Sequence, residues 1–159
     1  MPKTPSSRPD GYRCDLRLPA AALAYRRSIP ELMSPEGLGR INVTSWLYLD
    51  DRGPRQVKVS PNITIAQIRA EFGRAATRDA ETGIHSEGIA AEFFRTNPRF
   101  RVLEIFSERI PCKTMCAPLL RHYFPRVPWF YYYDRASWRG NDGQLIRWAA
   151  QALRVAYEL

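Results

Sequence analysis

The feature that most constrains this chain is a set of metal-binding residue types divided between two short stretches. The first reads Ile84-His85-Ser86-Glu87-Gly88 and the second Pro111-Cys112-Lys113-Thr114-Met115-Cys116. One histidine and two cysteines are three ligands for a tetrahedral zinc ion, which leaves the fourth position for water, as in a catalytic rather than a structural site. Glu87 follows the histidine by two residues and can approach that water without competing for the metal. Zinc lowers the pKa of such a water to roughly 7, so a neighbouring carboxylate can carry protons at neutral pH. Cys112 lies 27 residues beyond His85, and the stretch between them reads as one helix followed by one strand. Cys112 and Cys116, four apart, share a face if both lie on one helix.

His-x-Glu followed by Pro-Cys and a second Cys resembles the signature of the zinc-dependent cytidine deaminase superfamily, which pairs H-x-E with P-C-x-x-C. His85, Glu87, Pro111, Cys112 and Cys116 carry the resemblance; three residues separate the cysteines here, where the usual pattern has two. The resemblance implies hydrolytic removal of an amine from a nucleobase. His85, Cys112 and Cys116 are then expected to hold one zinc ion, and Glu87 to pass protons to the ring nitrogen and the leaving amine. It also implies a three-layer α/β/α fold with a central mixed sheet of four to five strands flanked by helices.

The same resemblance marks candidate substrate contacts. Asn62, closing the second predicted strand, stands near the position where relatives carry an asparagine that binds the target nucleotide. Ser107 and Pro111 lie just before the first cysteine, where relatives contact the base. Tyr133 and Trp138 border the loop with which relatives read the flanking nucleotide, and stacking a base on such a ring contributes ~1–3 kcal/mol.

Within the superfamily, Phe106-Ser107-Glu108-Arg109-Ile110-Pro111-Cys112 together with His85-Ser86-Glu87 looks most like the C-terminal deaminase domains of bacterial polymorphic toxins. That likeness implies a secreted or contact-delivered bacterial effector acting in the target-cell cytoplasm, with a cognate immunity protein as partner. The expected reaction is cytosine to uracil in single-stranded DNA, with double-stranded DNA or RNA as further polymer substrates. Two rival readings stand beside it. One is a deaminase of free nucleosides or nucleotides, which needs no cationic surface; the other is a non-catalytic, zinc-stabilised nucleic-acid-binding module.

Charge favours the polymer. The net charge is +8, and of 24 basic residues only Lys3, Lys58 and Lys113 are lysine. Arginine is the residue that grips phosphates in a fork and stacks on bases, so the excess reads as a nucleic-acid footprint. Three cysteines, an odd number, do not suggest a disulfide framework. No stretch approaches the ~20 apolar residues of a membrane span, and an apolar leader is absent, so no membrane partner is expected and a reducing aqueous compartment is. Cys14 and His122 are assigned no chemistry.

Along the chain, residues 1–13 read as a flexible linker rich in Pro, Ser and charge, and residues 14–159 as a single, monomeric domain. A helix is expected over 18–27, stopped by Pro30, followed over 29–39, where Pro and Gly recur, by a loop with at most a short helical turn. Alternation predicts strands over 41–49 and 56–60 joined as a hairpin. Residues 63–74 have helical spacing after Thr64. Helices are then expected over 84–96, 112–123 and 144–159, with strands over 100–106 and 129–133 and loops over 107–111 and 134–142.

Overall fold

Val43 and Leu47 on one side and Trp46 and Tyr48 on the other make a ribbon with two faces to bury, and the chain supplies helices for both. The computed structural model describes residues 3–9, 11–61, 86–113, 116–134 and 142–159. In chain order the elements are β1 (Ser6–Arg8), α1 (Arg17–Arg27), a 3-10 turn (Pro30–Met33), α2 (Pro35–Arg40), β2 (Val43–Leu49), β3 (Arg55–Pro61), α3 (Ser86–Thr96), β4 (Arg101–Arg109), α4 (Cys116–Tyr123), β5 (Trp129–Tyr133) and α5 (Asp142–Tyr157). The predicted helix over 63–74 and the turn after it lie outside the described residues.

The five strands form one mixed sheet in the order β1-β5-β4-β2-β3. β2 and β3 are the expected hairpin, in register from Val43 opposite Pro61 to Leu49 opposite Arg55. β4 runs antiparallel to β2 and parallel to β5. One face of the sheet carries Val43, Leu47, Phe106 and Phe130 against Leu18 and Ala22 of α1, Leu38 of α2 and Leu153 of α5. The other carries Trp46, Tyr48, Ile105 and Trp129 against Ala90, Ala91 and Phe94 of α3 and Leu120 of α4. The three-layer α/β/α architecture expected from the sequence is therefore the observed one.

Four local expectations are corrected. The segment read as a linker contains β1, which pairs antiparallel with β5 from Ser6 opposite Tyr131 to Arg8 opposite Trp129. The fifth strand thus comes from the N-terminal side, and its polar sequence suits an edge. The loop over 29–39 is largely helical: Ser34 accepts the Gly37 N–H at 3.0 Å as an N-cap, and Pro35 occupies the first turn, where its missing donor is no loss. β4 continues to Arg109, so Ser107 lies in the sheet, opposite Thr44 and Tyr131. Finally α4 begins at Cys116, and Cys112 sits one turn before it rather than on the same helix. Pro118 consequently falls in the first turn of α4 and breaks nothing.

The extension of β4 depends on a buried polar centre. Arg26 and Glu108 are both fully buried and form a two-pronged ion pair, Nε to Oε2 at 2.7 Å and Nη2 to Oε1 at 2.7 Å. Arg26 also donates to the carbonyls of Leu32 at 2.8 Å, Gly37 at 3.2 Å and Ile41. Glu108 in turn accepts the Val43 N–H at 2.9 Å and the Tyr157 hydroxyl at 2.7 Å. Burial alone would favour a neutral guanidine, but the charge and hydrogen bonds of Glu108 outweigh it and raise the Arg26 pKa. α1, α2, β2, β4 and α5 are tied together at this point.

Candidate active site

Period-two alternation puts neighbours on β4 to opposite uses. Glu108 points into the layer of α1 and α5, and Ser107 points the other way, toward α3. There Ser107 Oγ lies 2.9 Å from Glu87 Oε1, 3.0 Å from Asn42 Nδ2 and 2.5 Å from the Arg109 carbonyl. Asn42 Nδ2 also reaches Glu87 Oε1 at 3.4 Å, and Asn42 Oδ1 accepts the Arg109 N–H at 3.0 Å. Glu87, in the first turn of α3, is 3 % exposed. A carboxylate at that position is favoured by the positive end of the helix dipole.

On the other side of Glu87 stand the cysteines. The Cys116 N–H lies 3.2 Å from Cys112 Sγ, and the Ala117 N–H bonds the Cys112 carbonyl at 2.9 Å. Cys112 is thus bonded to the start of α4. The Cys116 side chain is buried, 3 % exposed. Burial first, then the charges of Glu87 and Cys112, push its pKa up strongly. A thiolate at Cys116 is thus disfavoured both by burial and by its neighbours. A thiophilic divalent cation removes that conflict, because it binds thiolates and releases their protons.

Glu87 and the cysteines, separated in sequence, thereby lie at the starts of α3 and α4, two helices that pack on the same face of the sheet. The parallel strands β4 and β5 also end here, with Arg109 beside Tyr133 and the Ile110 N–H bonded to the Tyr133 carbonyl at 2.9 Å. Crevices beyond the carboxyl ends of parallel strands are where α/β sheets place their ligands. Among the described residues no group of three or more His, Cys, Asp and Glu side chains could hold a metal ion. His85, the third expected ligand, lies outside them, directly before the first residue of α3.

The remaining candidates are distributed as follows. Ser107 is fully buried, with its hydroxyl engaged by Glu87 and Asn42. Pro111 is buried at the approach to Cys112. Tyr133 turns toward α5, its ring edge-on to Trp148 at 5.6 Å. Asn62 and Trp138 lie outside the described residues. His122 is exposed, against Tyr123. Cys14 packs beside the α1 layer, and burial, with Glu104 and Asp15 nearby, pushes its pKa up to about 12. Asn42 was missed by sequence reasoning. Its one signal is an amide set between Ile41 and Val43, where an apolar run has no place for an unpartnered polar group.

The family model describing Xanthomonas-like deaminases matches residues 43–152. The chain belongs to the Xanthomonas-like deaminase family. The match runs from the start of β2 into α5 and so includes Glu87, Ser107, Cys112 and Cys116. β1, α1 with Arg26, α2 and Asn42 of this Xanthomonas-like deaminase precede the matched stretch. Neither a curated protein nor a solved structure matches the chain.

Proposed function

We propose that this deaminase converts cytosine to uracil in single-stranded DNA, as the toxin domain of a delivered bacterial effector. One observation carries the reading. Glu87, in the first turn of α3 and hydrogen-bonded to Ser107, lies with Cys112 and Cys116 near the start of α4 toward the carboxyl ends of the parallel strands, in a chain of a deaminase family. His85, Cys112 and Cys116 would hold one zinc ion, which when bound makes a water acidic enough to supply hydroxide near pH 7.

Glu87 carries the protons. Its carboxylate takes one from the water, gives it to the ring nitrogen of the base, and delivers another to the departing amine, so that cytosine and water become uracil and ammonia. Asn62, Pro111, Tyr133 and Trp138 contact the nucleotide and its neighbours. The arginine-rich surface guides the polymer, so binding weakens as salt rises. The domain acts as a monomer in the cytoplasm of the target cell, without a membrane partner, and its producer protects itself with an immunity protein.

The test is incubation of the purified chain with single- and double-stranded DNA and RNA, read by sequencing for C-to-U and A-to-I changes. C-to-U conversion, strongest in single-stranded DNA, is expected. Glu87→Ala should retain one zinc per chain and lower turnover at least ~100-fold, the scale of a lost proton carrier. Stoichiometric zinc with no conversion in any of the four polymers would abolish this reading.

A further inference from the structure

We propose that Asn42 and Ser107 are positioning residues for Glu87, holding its carboxylate through oxygen Oε1 in the orientation from which it exchanges protons with water and base. The inference rests on the deaminase reading above and adds to it a pair of residues on the sheet side of the carboxylate. Four observations converge on it. Ser107 Oγ and Asn42 Nδ2 both address Oε1, at 2.9 and 3.4 Å, and they bond each other at 3.0 Å. All three side chains are at least nine-tenths buried: Asn42 is 4 %, Glu87 3 % and Ser107 0 % exposed.

The orientation of the amide is fixed as well. Asn42 Oδ1 accepts the Arg109 N–H at 3.0 Å, which leaves Nδ2, the donor, for Ser107 and Glu87. The backbone on either side of Asn42 is held too, since Arg26 donates to the Ile41 carbonyl and Glu108 accepts the Val43 N–H. A hydroxyl has one proton and can accept twice. Ser107 therefore accepts from Asn42 and directs its own proton toward Glu87 Oε1 or the Arg109 carbonyl. Its hydroxyl is thus taken up by Asn42, Glu87 and the Arg109 carbonyl. Partners one shell removed from the chemistry typically change activity 10- to 100-fold when lost.

The test compares Asn42→Asp, Ser107→Ala and Ser107→Thr in the full chain. Asn42→Asp keeps the acceptor for Arg109 but replaces the donor facing Glu87 by a second carboxylate oxygen. With single-stranded DNA as substrate, Asn42→Asp and Ser107→Ala should each lower kcat about 10- to 100-fold. KM should stay within about twofold and zinc stoichiometric, because a positioning group acts in the chemical step. Ser107→Thr, which keeps the hydroxyl, should restore most of kcat.

A second readout needs no activity. Asn42→Asp should lower the thermal midpoint, and adding Glu87→Gln should recover part of that loss, because the amide of glutamine can donate to Asp where a carboxylate repels it. Additive midpoints, together with an unchanged kcat for Asn42→Asp, would overturn the proposal. A wild-type chain that deaminates none of the polymers while the double variant recovers stability would overturn the deaminase reading and leave the Asn42–Glu87 contact supported.

Discussion

A guanidinium and a carboxylate removed from water each lose several kcal/mol of hydration, and a buried ion pair is often no more stable than apolar residues of similar volume. Arg26 and Glu108 depart from that pattern because backbone groups depend on them. All five N–H donors of Arg26 are used, two on Glu108 and three on the carbonyls of Leu32, Gly37 and Ile41. Removing the arginine alone leaves the buried Glu108 carboxylate with the Val43 N–H and the Tyr157 hydroxyl but no counter-charge, and takes a donor from the carbonyls of Leu32 and Ile41, while the Gly37 carbonyl keeps the Ile41 N–H. Arg26→Met should therefore destabilise by about 3–5 kcal/mol, the usual result of breaking a buried pair. Arg26→Met with Glu108→Leu should not recover the loss, since the Leu32 and Ile41 carbonyls and the Val43 N–H are still deprived of a partner at ~1–3 kcal/mol each. Urea titration of the three proteins decides it. A double variant as stable as wild type would show that the backbone contacts matter little.

At the scale of elements, a short helix with two glycines is held by how closely it can approach its neighbours. A Cβ on Gly39 would lie 2.2 Å from the Ile146 carbonyl oxygen of α5, and one on Gly37 would lie 2.1 Å from the Glu31 carbonyl oxygen. These glycines let α2 rest on α5 and on the preceding 3-10 turn. Gly39→Ala should destabilise by about 1–3 kcal/mol, as overpacking does. Gly53→Ala, in the β2–β3 turn with nothing within 4 Å of the added carbon, should be silent in the same denaturation experiment. Such packing explains why residues 29–39 read as loop: Pro and Gly interrupt a helix in isolation, and only the contact with α5 shows them to be admissible. The strongly patterned segments were legible, β5 to the residue and β2, β3, α1 and α3 nearly so. Ser107, Glu108 and Arg109 read as a polar loop because their partners, Asn42, Glu87 and Arg26, lie 20 to 82 residues away in sequence. Of the site, Glu87 and the two cysteines were legible from residue type and spacing. Asn42 was not, because its function is defined by contacts that no local pattern encodes.

For the whole molecule, the open question is how much of the chain the fold requires. Sequence composition sets aside residues 1–13, yet β1 covers the edge of β5, Lys3 donates to the Ala156 carbonyl at 3.1 Å, and the Arg8 guanidinium lies 5.7 Å from the Trp129 ring centre. Without this segment β5 is an edge strand, with its outward N–H and C=O groups open to pairing with another molecule. Three residues of ladder and one cation–π contact amount to a modest term, because a net hydrogen bond contributes ~1 kcal/mol and a surface cation–π contact ~0.5–1. Deleting residues 1–9 should therefore destabilise by roughly 1–3 kcal/mol on those per-contact values. It should also make self-association concentration-dependent, visible by light scattering. Turnover per folded molecule should change little, since Asn42, Glu87 and Ser107 are held from β2, β4 and α3, and β5 lies between them and β1. A shortened chain of unchanged stability that remains monomeric would return the N-terminal residues to the status of a linker, whereas loss of turnover at unchanged stability would mean that β1 acts on the site through β5.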